Sequence, residues 1–143
     1  MARADFYILS GGTNAERFSC TIAGKAFSQG NSVYIVAPDK YEAERLDDLL
    51  WTFNDISFLP HACVDVAAAD TPIVIGWPGA NLTQANVMIN LTMTVPEGTD
   101  QFKRIVEIVA EDAAPQGRER YKVYRGRGYE MFNHTIGAEQ ANG

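Results

Sequence analysis

Short, unbroken apolar runs alternate with capped helical segments along this chain, and that alternation constrains its fold more than any other feature. Phe6, Tyr7, Ile8 and Leu9 stand in a row, a run too short for a helix and apolar on both sides. That is the pattern of a strand buried on both faces. Gly11 and Gly12 then turn the chain. Thr13 followed by Glu16 has capping-box spacing, so a helix is predicted from there to about residue 29, closed by Gly30 and Asn31 in left-handed geometry. Residues 33–36 repeat the strand pattern, and Asp39 with Glu42 opens a second helix through Thr52. Further strands are predicted over 56–58 (stopped by Pro60), 73–77, 87–91 and 104–109, the last also compatible with a helix. Pro115 suits the first turn of a final helix ending near Gly126 to Gly128, and residues 129–143 read as a tail that frays. The order predicts one α/β domain. Helices cover both faces of a sheet that is parallel in its first part and mixed later.

Composition narrows the functions open to such a domain. No apolar run approaches the roughly 20 residues of a membrane span, and the N-terminus lacks the length and flanks of a signal peptide. A cytoplasmic protein with no membrane partner is expected. Cys20 and Cys63 have no motif spacing and read as packing residues. His61 follows Pro60 and reads as structural, and no His, Cys or acid stands at metal-ligand spacing. The stretch from Ser10 to Asn14 occupies the place where doubly wound sheets bind phosphate. It has neither Gly-x-Gly-x-x-Gly nor Gly-Lys-Ser/Thr, and a helix start explains it. No catalytic residue, metal or cofactor is expected.

Charge is uneven. The net charge is −6, with eight acids between Asp39 and Asp70 against two bases, and no Lys or Arg between Arg45 and Lys103. The run from Arg118 to Tyr129 holds five of the twelve Lys and Arg residues and three tyrosines. On a helix, Arg118, Tyr121, Lys122 and Arg125 share one face, and three charges keep that face in solvent. It suits a carboxylate-rich peptide or a phosphate backbone. On the helix after Asp39, Leu46, Leu49, Leu50 and Phe53 form the core stripe. Trp51 lies about 140° from Leu46, beside Glu44, Asp47 and Asp48. It is either packed beneath a loop or exposed as an interface anchor. Phe58 and Pro60 follow closely and could extend an apolar patch around it.

Several of these segments resemble, in order, the chi subunit family of bacterial DNA polymerase III. They are Asp5-Phe-Tyr-Ile-Leu9, Arg45-Leu-Asp-Asp-Leu-Leu-Trp51, Ser57-Phe-Leu-Pro-His61, Pro72-Ile-Val-Ile-Gly-Trp-Pro78, Val87-Met-Ile-Asn-Leu91 and Arg118-Glu-Arg-Tyr-Lys-Val-Tyr-Arg125. The resemblance covers nearly the whole chain. It implies a three-layer α/β/α domain, nucleotide-binding-like in outline but without a phosphate loop. It also implies a non-catalytic accessory subunit of the clamp-loader complex. Such a subunit binds the psi subunit and the acidic, Phe-terminated C-terminal tail of single-stranded DNA-binding protein (SSB), and so associates with DNA indirectly. By the same resemblance, Arg118, Tyr121, Lys122 and Arg125 would bind the tail, and Trp51, Phe58, Pro60 and His61 would face psi. Ala114 stands where the family carries a further lysine. Two other readings compete. A small module binding single-stranded nucleic acid through the basic helix is disfavoured by the net charge. A nucleotide-binding enzyme is disfavoured by the missing phosphate loop.

Overall fold

The elements begin and end for local reasons. The computed structural model describes residues 2–53, 59–82 and 84–137. Strand β1 (Arg3–Leu9) leads through the Gly11-Gly12 turn into α1 (Ala15–Ser28). The cap of α1 is Asn14 rather than Thr13. The Asn14 side chain accepts from Arg17 N, while the Thr13 hydroxyl donates to Ser10 O at 2.7 Å and closes the turn. Gly30 ends the helix at φ +86°, as expected. After β2 (Val33–Val36), Asp39 caps α2 (Lys40–Thr52) by accepting from Glu42 N at 2.8 Å. Then follow β3 (His61–Cys63), β4 (Ile73–Gly76), β5 (Val87–Asn90), β6 (Arg104–Val109), α3 (Ala114–Gly126) and β7 (Glu130–Ile136). Pro115 sits in the first turn of α3. The predicted strand over 56–58 lies outside the described residues.

The strands form one sheet in the order β3-β4-β2-β5-β6-β1-β7, and every neighbouring pair is parallel. The sheet is therefore not mixed. β4 and β5, joined by a loop, are not hairpin partners because β2 lies between them. α3 returns the chain from β6 to the far side of β1, so β7 also enters parallel. Residues 130–136 are likewise a strand and not a frayed tail. As an edge strand β7 is held by its backbone ladder to β1, so it carries no apolar run that would mark it in the sequence.

Alternating strand residues build two cores. On one face Leu9, Ile35, Ile75, Ile89 and Val106 pack beneath α1 and α2. On the other Phe6, Tyr34, Met88 and Ile105 meet Tyr124 of α3 and Phe102 of the β5–β6 connection. The result is three layers.

Each core holds one fully buried carboxylate. Glu107 of β6 accepts from Arg120 Nε at 2.7 Å, from the Tyr124 hydroxyl at 2.6 Å and from Asn90 Nδ2 at 2.9 Å. Arg120 also donates to Met93 O. Burial pushes the Glu107 carboxyl up, and the Arg120 charge and these three donors oppose that push. On the opposite face Asp5 accepts from Arg3, from Arg104 Nε at 2.8 Å and pairs with His134 Nε2 at 2.9 Å. Burial raises the Asp5 pKa, but the bonds from Arg3, Arg104 and His134 outweigh it and hold the group at about 2.

Two outcomes follow from these carboxylates. Arg120→Met strands a buried charge and should cost about 3–5 kcal/mol in urea unfolding at pH 7. Combining it with Glu107→Gln should restore a large part of that loss. A cost under about 1 kcal/mol for the single variant would mean that the pair is not what anchors α3. Asp5 titrates lower in the folded chain than its ordinary 3.8. Its contribution is therefore complete above that value and lost as pH falls through about 2. Asp5→Asn should cost on the order of 2 kcal/mol at pH 7, and its gap from the parent protein should close between about pH 4 and pH 2.

Candidate functional site

Two surfaces collect the residues singled out by sequence. The first is the outer face of α3. Arg118, Lys122 and Arg125 are all exposed, and Lys122 makes only an exposed pair with Glu119 at 3.3 Å. Tyr121 is half-buried, its ring set edge-on against Phe6 at 5.3 Å. The four residues sit together as their spacing predicts. Of the other members of the basic run, Arg120 and Tyr124 hold Glu107, Tyr129 donates toward Thr99, and Arg127 is exposed with its Nη1 3.4 Å from the same hydroxyl.

Beside Tyr121 and Arg118 lies a hollow of about 510 Å³ that sequence reasoning did not find. Phe6 and Ile8 of β1, Val109 of β6, Gly117 of α3 and Asn133 of β7 shape it. Ile8 is 38 % exposed, unusual for a residue in the middle of a buried strand's apolar run. Gly117 is needed for close approach of α3 to β6, since a Cβ there would stand 2.7 Å from Val109 Cγ1. An apolar hollow rimmed by cations can take a hydrophobic side chain from an acidic chain. Ala114 also lines it.

The second surface lies at the β3 edge. Trp51 is 55 % exposed. Its ring rests tilted against His61 at 4.8 Å. The His61 ring is enclosed, within 2.6 Å of Leu59 O through Nδ1 and 3.2 Å of Asp47 Oδ1 through Nε2. It is thus a support beneath Trp51, and Pro60 is half-buried beside it. Phe58 lies outside the described residues. Glu44, Asp47, Asp48 and Asp65 surround Trp51 and the exposed Val66 in one shallow groove. The long acidic stretch of the sequence thereby becomes an acidic rim around an apolar centre.

The turn before α1 is a poor anion site. Gly12 N donates to Glu111 Oε1 at 3.3 Å, and Asp112 lines the same depression. A phosphate there would meet two carboxylates. Cys20 and Cys63 are buried thiols, pushed by burial to about 12 and about 11, as packing residues should be. Among the described residues no His, Cys, Asp and Glu group could hold a metal, and no helix is long and apolar enough to cross a membrane.

Fold and surfaces together define a parallel α/β domain with a cationic outer helix face on α3 and an acidic groove beside β3. The fold is that of domain 2 of the Mss116p DEAD-box helicase, solved bound to an RNA duplex. The TM-score is 0.60 at 11 % identity, over 96 % of this chain and 66 % of that one. A DEAD box protein from the hyperthermophile Methanococcus jannaschii aligns with TM-score 0.55, again at 11 % identity, over 92 % of this chain and 41 % of its own. The chain belongs to the family of the DNA polymerase III chi subunit, HolC, whose model matches residues 1–132. DNA polymerase III subunit chi of Pseudomonas aeruginosa is 31 % identical over 95 % of this chain and 98 % of its own length. The Haemophilus influenzae protein is 32 % identical over 94 % and 97 %, and that of Escherichia coli K12 is 31 % identical over 94 % and 99 %.

Exposure separates the roles of the site residues from those of the core. Trp51→Ala and Arg125→Ala should each change unfolding free energy by less than about 1 kcal/mol. Circular dichroism during urea titration checks this, and a larger loss for either would show that the side chain serves the fold.

Proposed function

We propose that this protein is a non-catalytic, cytoplasmic accessory subunit of the DNA polymerase III clamp-loader complex. In this reading it bridges the psi subunit and the acidic C-terminal tail of SSB. The observation that carries it is the position of the two surfaces at opposite ends of one sheet. α3 packs over β1, β6 and β7, whereas Trp51 stands beside the β3 edge. β1, which runs beneath α3, lies five strand spacings of about 4.8 Å from β3, roughly 24 Å, far enough for two partners to bind at once.

At α3, the tail's carboxylates pair with Arg118, Lys122 and Arg125, while its terminal Phe enters the hollow beside Tyr121. Exposed ion pairs contribute little each, so the apolar anchor carries much of the affinity. At the other edge, Trp51 is the anchor for psi, with Pro60 beside it and His61 holding the indole outward. Family membership supports assembly with the polymerase complex, and the carboxylates at Gly12 support a role without nucleotide chemistry.

Fluorescence anisotropy of a labelled SSB-tail peptide, with single-stranded DNA as a parallel probe, tests the reading. Binding near 1 μM, about −8 kcal/mol, is expected for the peptide, weakening with salt. Tyr121→Ala and Arg125→Ala should each weaken it about tenfold. Trp51→Ala should abolish copurification with psi and leave peptide affinity unchanged. Retained tail binding in both α3 variants, or binding of DNA in place of peptide, would reject the assignment.

A further inference from the structure

A separate hollow of about 640 Å³ lies on the α3 face of the sheet, at the C-terminal ends of β2, β4 and β5. β2 leaves the sheet toward α2 on one face, and its neighbour β5 leaves toward Val95 and Phe102 on the other. Divergence of neighbouring connections opens the crevice in which parallel α/β sheets place their ligands.

The side chains there are not those of a passive gap. Tyr34 is 1 % exposed, and its hydroxyl has no hydrogen-bond partner among the described residues. Every fully enclosed side-chain nitrogen or oxygen among those residues does have a partner, so this hydroxyl is open to the hollow it helps line. Gly76 keeps the position open, because a Cβ there would collide with the Tyr34 oxygen. A hydroxyl that opens into the hollow without a protein partner is available to donate to a bound acceptor. Trp77, Leu82 and Val95 supply apolar walls, Thr94 adds a hydroxyl, and Glu97 stands exposed on the wall. Among the described residues no Lys or Arg lines the hollow, and the nearby Lys40 Nζ stands 5.8 Å from the Trp77 ring centroid, so an anion inside would meet the Glu97 carboxylate with no cation in the lining.

We propose that this hollow binds a neutral, planar heterocycle of the nucleobase class. The Tyr34 hydroxyl donates to a ring carbonyl, Glu97 accepts from a ring or exocyclic N–H, and Trp77 packs against the ring.

The test is an amide-detected NMR titration of the full chain with guanosine and with thymidine, alongside guanosine monophosphate. Saturable shifts confined to residues 76–82 and 92–97 are expected at millimolar nucleoside, weaker for the monophosphate. Tyr34→Phe and Glu97→Gln should each weaken binding about tenfold. Because the hydroxyl has no partner to lose, Tyr34→Phe should melt no lower than the parent protein. Absence of saturable shifts with either nucleoside overturns the proposal, as does undiminished binding in both variants. Equal affinity for the monophosphate overturns the neutral-ligand assignment, and a lowered melting point for Tyr34→Phe overturns the unpaired hydroxyl.

Discussion

The buried Glu107 carboxylate is the constraint on which the functional geometry depends. A charge in that position is tolerable only while every lone pair is met, and its donors come from β5 and from two turns of α3. That requirement fixes the rotation of α3 as well as its place. With Arg120 set inward at 0° and about 100° per residue, Tyr124 falls near 40° and Gly117 near 60°. Tyr121 falls near 100°, at the margin, while Arg125, Arg118 and Lys122 fall near 140°, 160° and 200°. The exposed cations are thus a consequence of the buried one. A turn of the helix by one residue would withdraw the tyrosine from its hollow and strand Glu107. An apolar replacement of the same volume could stabilise as much, but it would set the rotation less strictly.

Asp5 plays the corresponding part on the other face. Its partners come from β1, β6 and β7, so it joins the edge strand to the body of the sheet through side chains as well as the ladder. Tyr7 adds to this by stacking on His134 at 4.5 Å and accepting from Arg104. In register, Phe6 lies beside Glu107 and Asp5 beside Val106, so the two carboxylates occupy adjacent rungs and opposite faces. Together they fix β7 and α3 relative to β1, and these are the elements that shape the hollow beside Tyr121.

Most of the frame was legible because its elements carry their own local signals. Asp39 and Glu42 bound the second helix, Gly30 closed the first, and the apolar runs at 33–36 and 87–90 became central strands. β7 was illegible because a half-buried edge strand has neither an apolar run nor clean alternation. Parallel direction throughout could not be read either, since it depends on where each connection returns. In the basic run, charge alone did not separate Arg120 from Arg118. The available signal was the stripe Gly117, Arg120, Tyr124, at i, i+3 and i+7, which places an arginine among core positions. The exposed Ile8 left no trace, because a run of four apolar residues looks the same whether or not one of them faces a hollow.

A fold shared with helicase domains keeps its layers here while the chemistry at its strand ends differs. At the β1–β6 crevice, Glu111 and Asp112 stand against the start of α1 and give it a negative lining. An anion-binding turn requires the reverse, free backbone N–H groups and a positive field. The outer face of α3 carries three exposed cations, and four acids line the groove around Trp51 toward the opposite edge. That arrangement suits partners of opposite character held apart on one rigid frame. A net charge of −6 is compatible with the proposed acidic partner, because attraction depends on the field at one helix face and not on the charge of the whole chain. At an ionic strength of 0.15 M screening acts over about 8 Å, so the acids around Trp51, roughly three screening lengths away, leave that face effectively cationic.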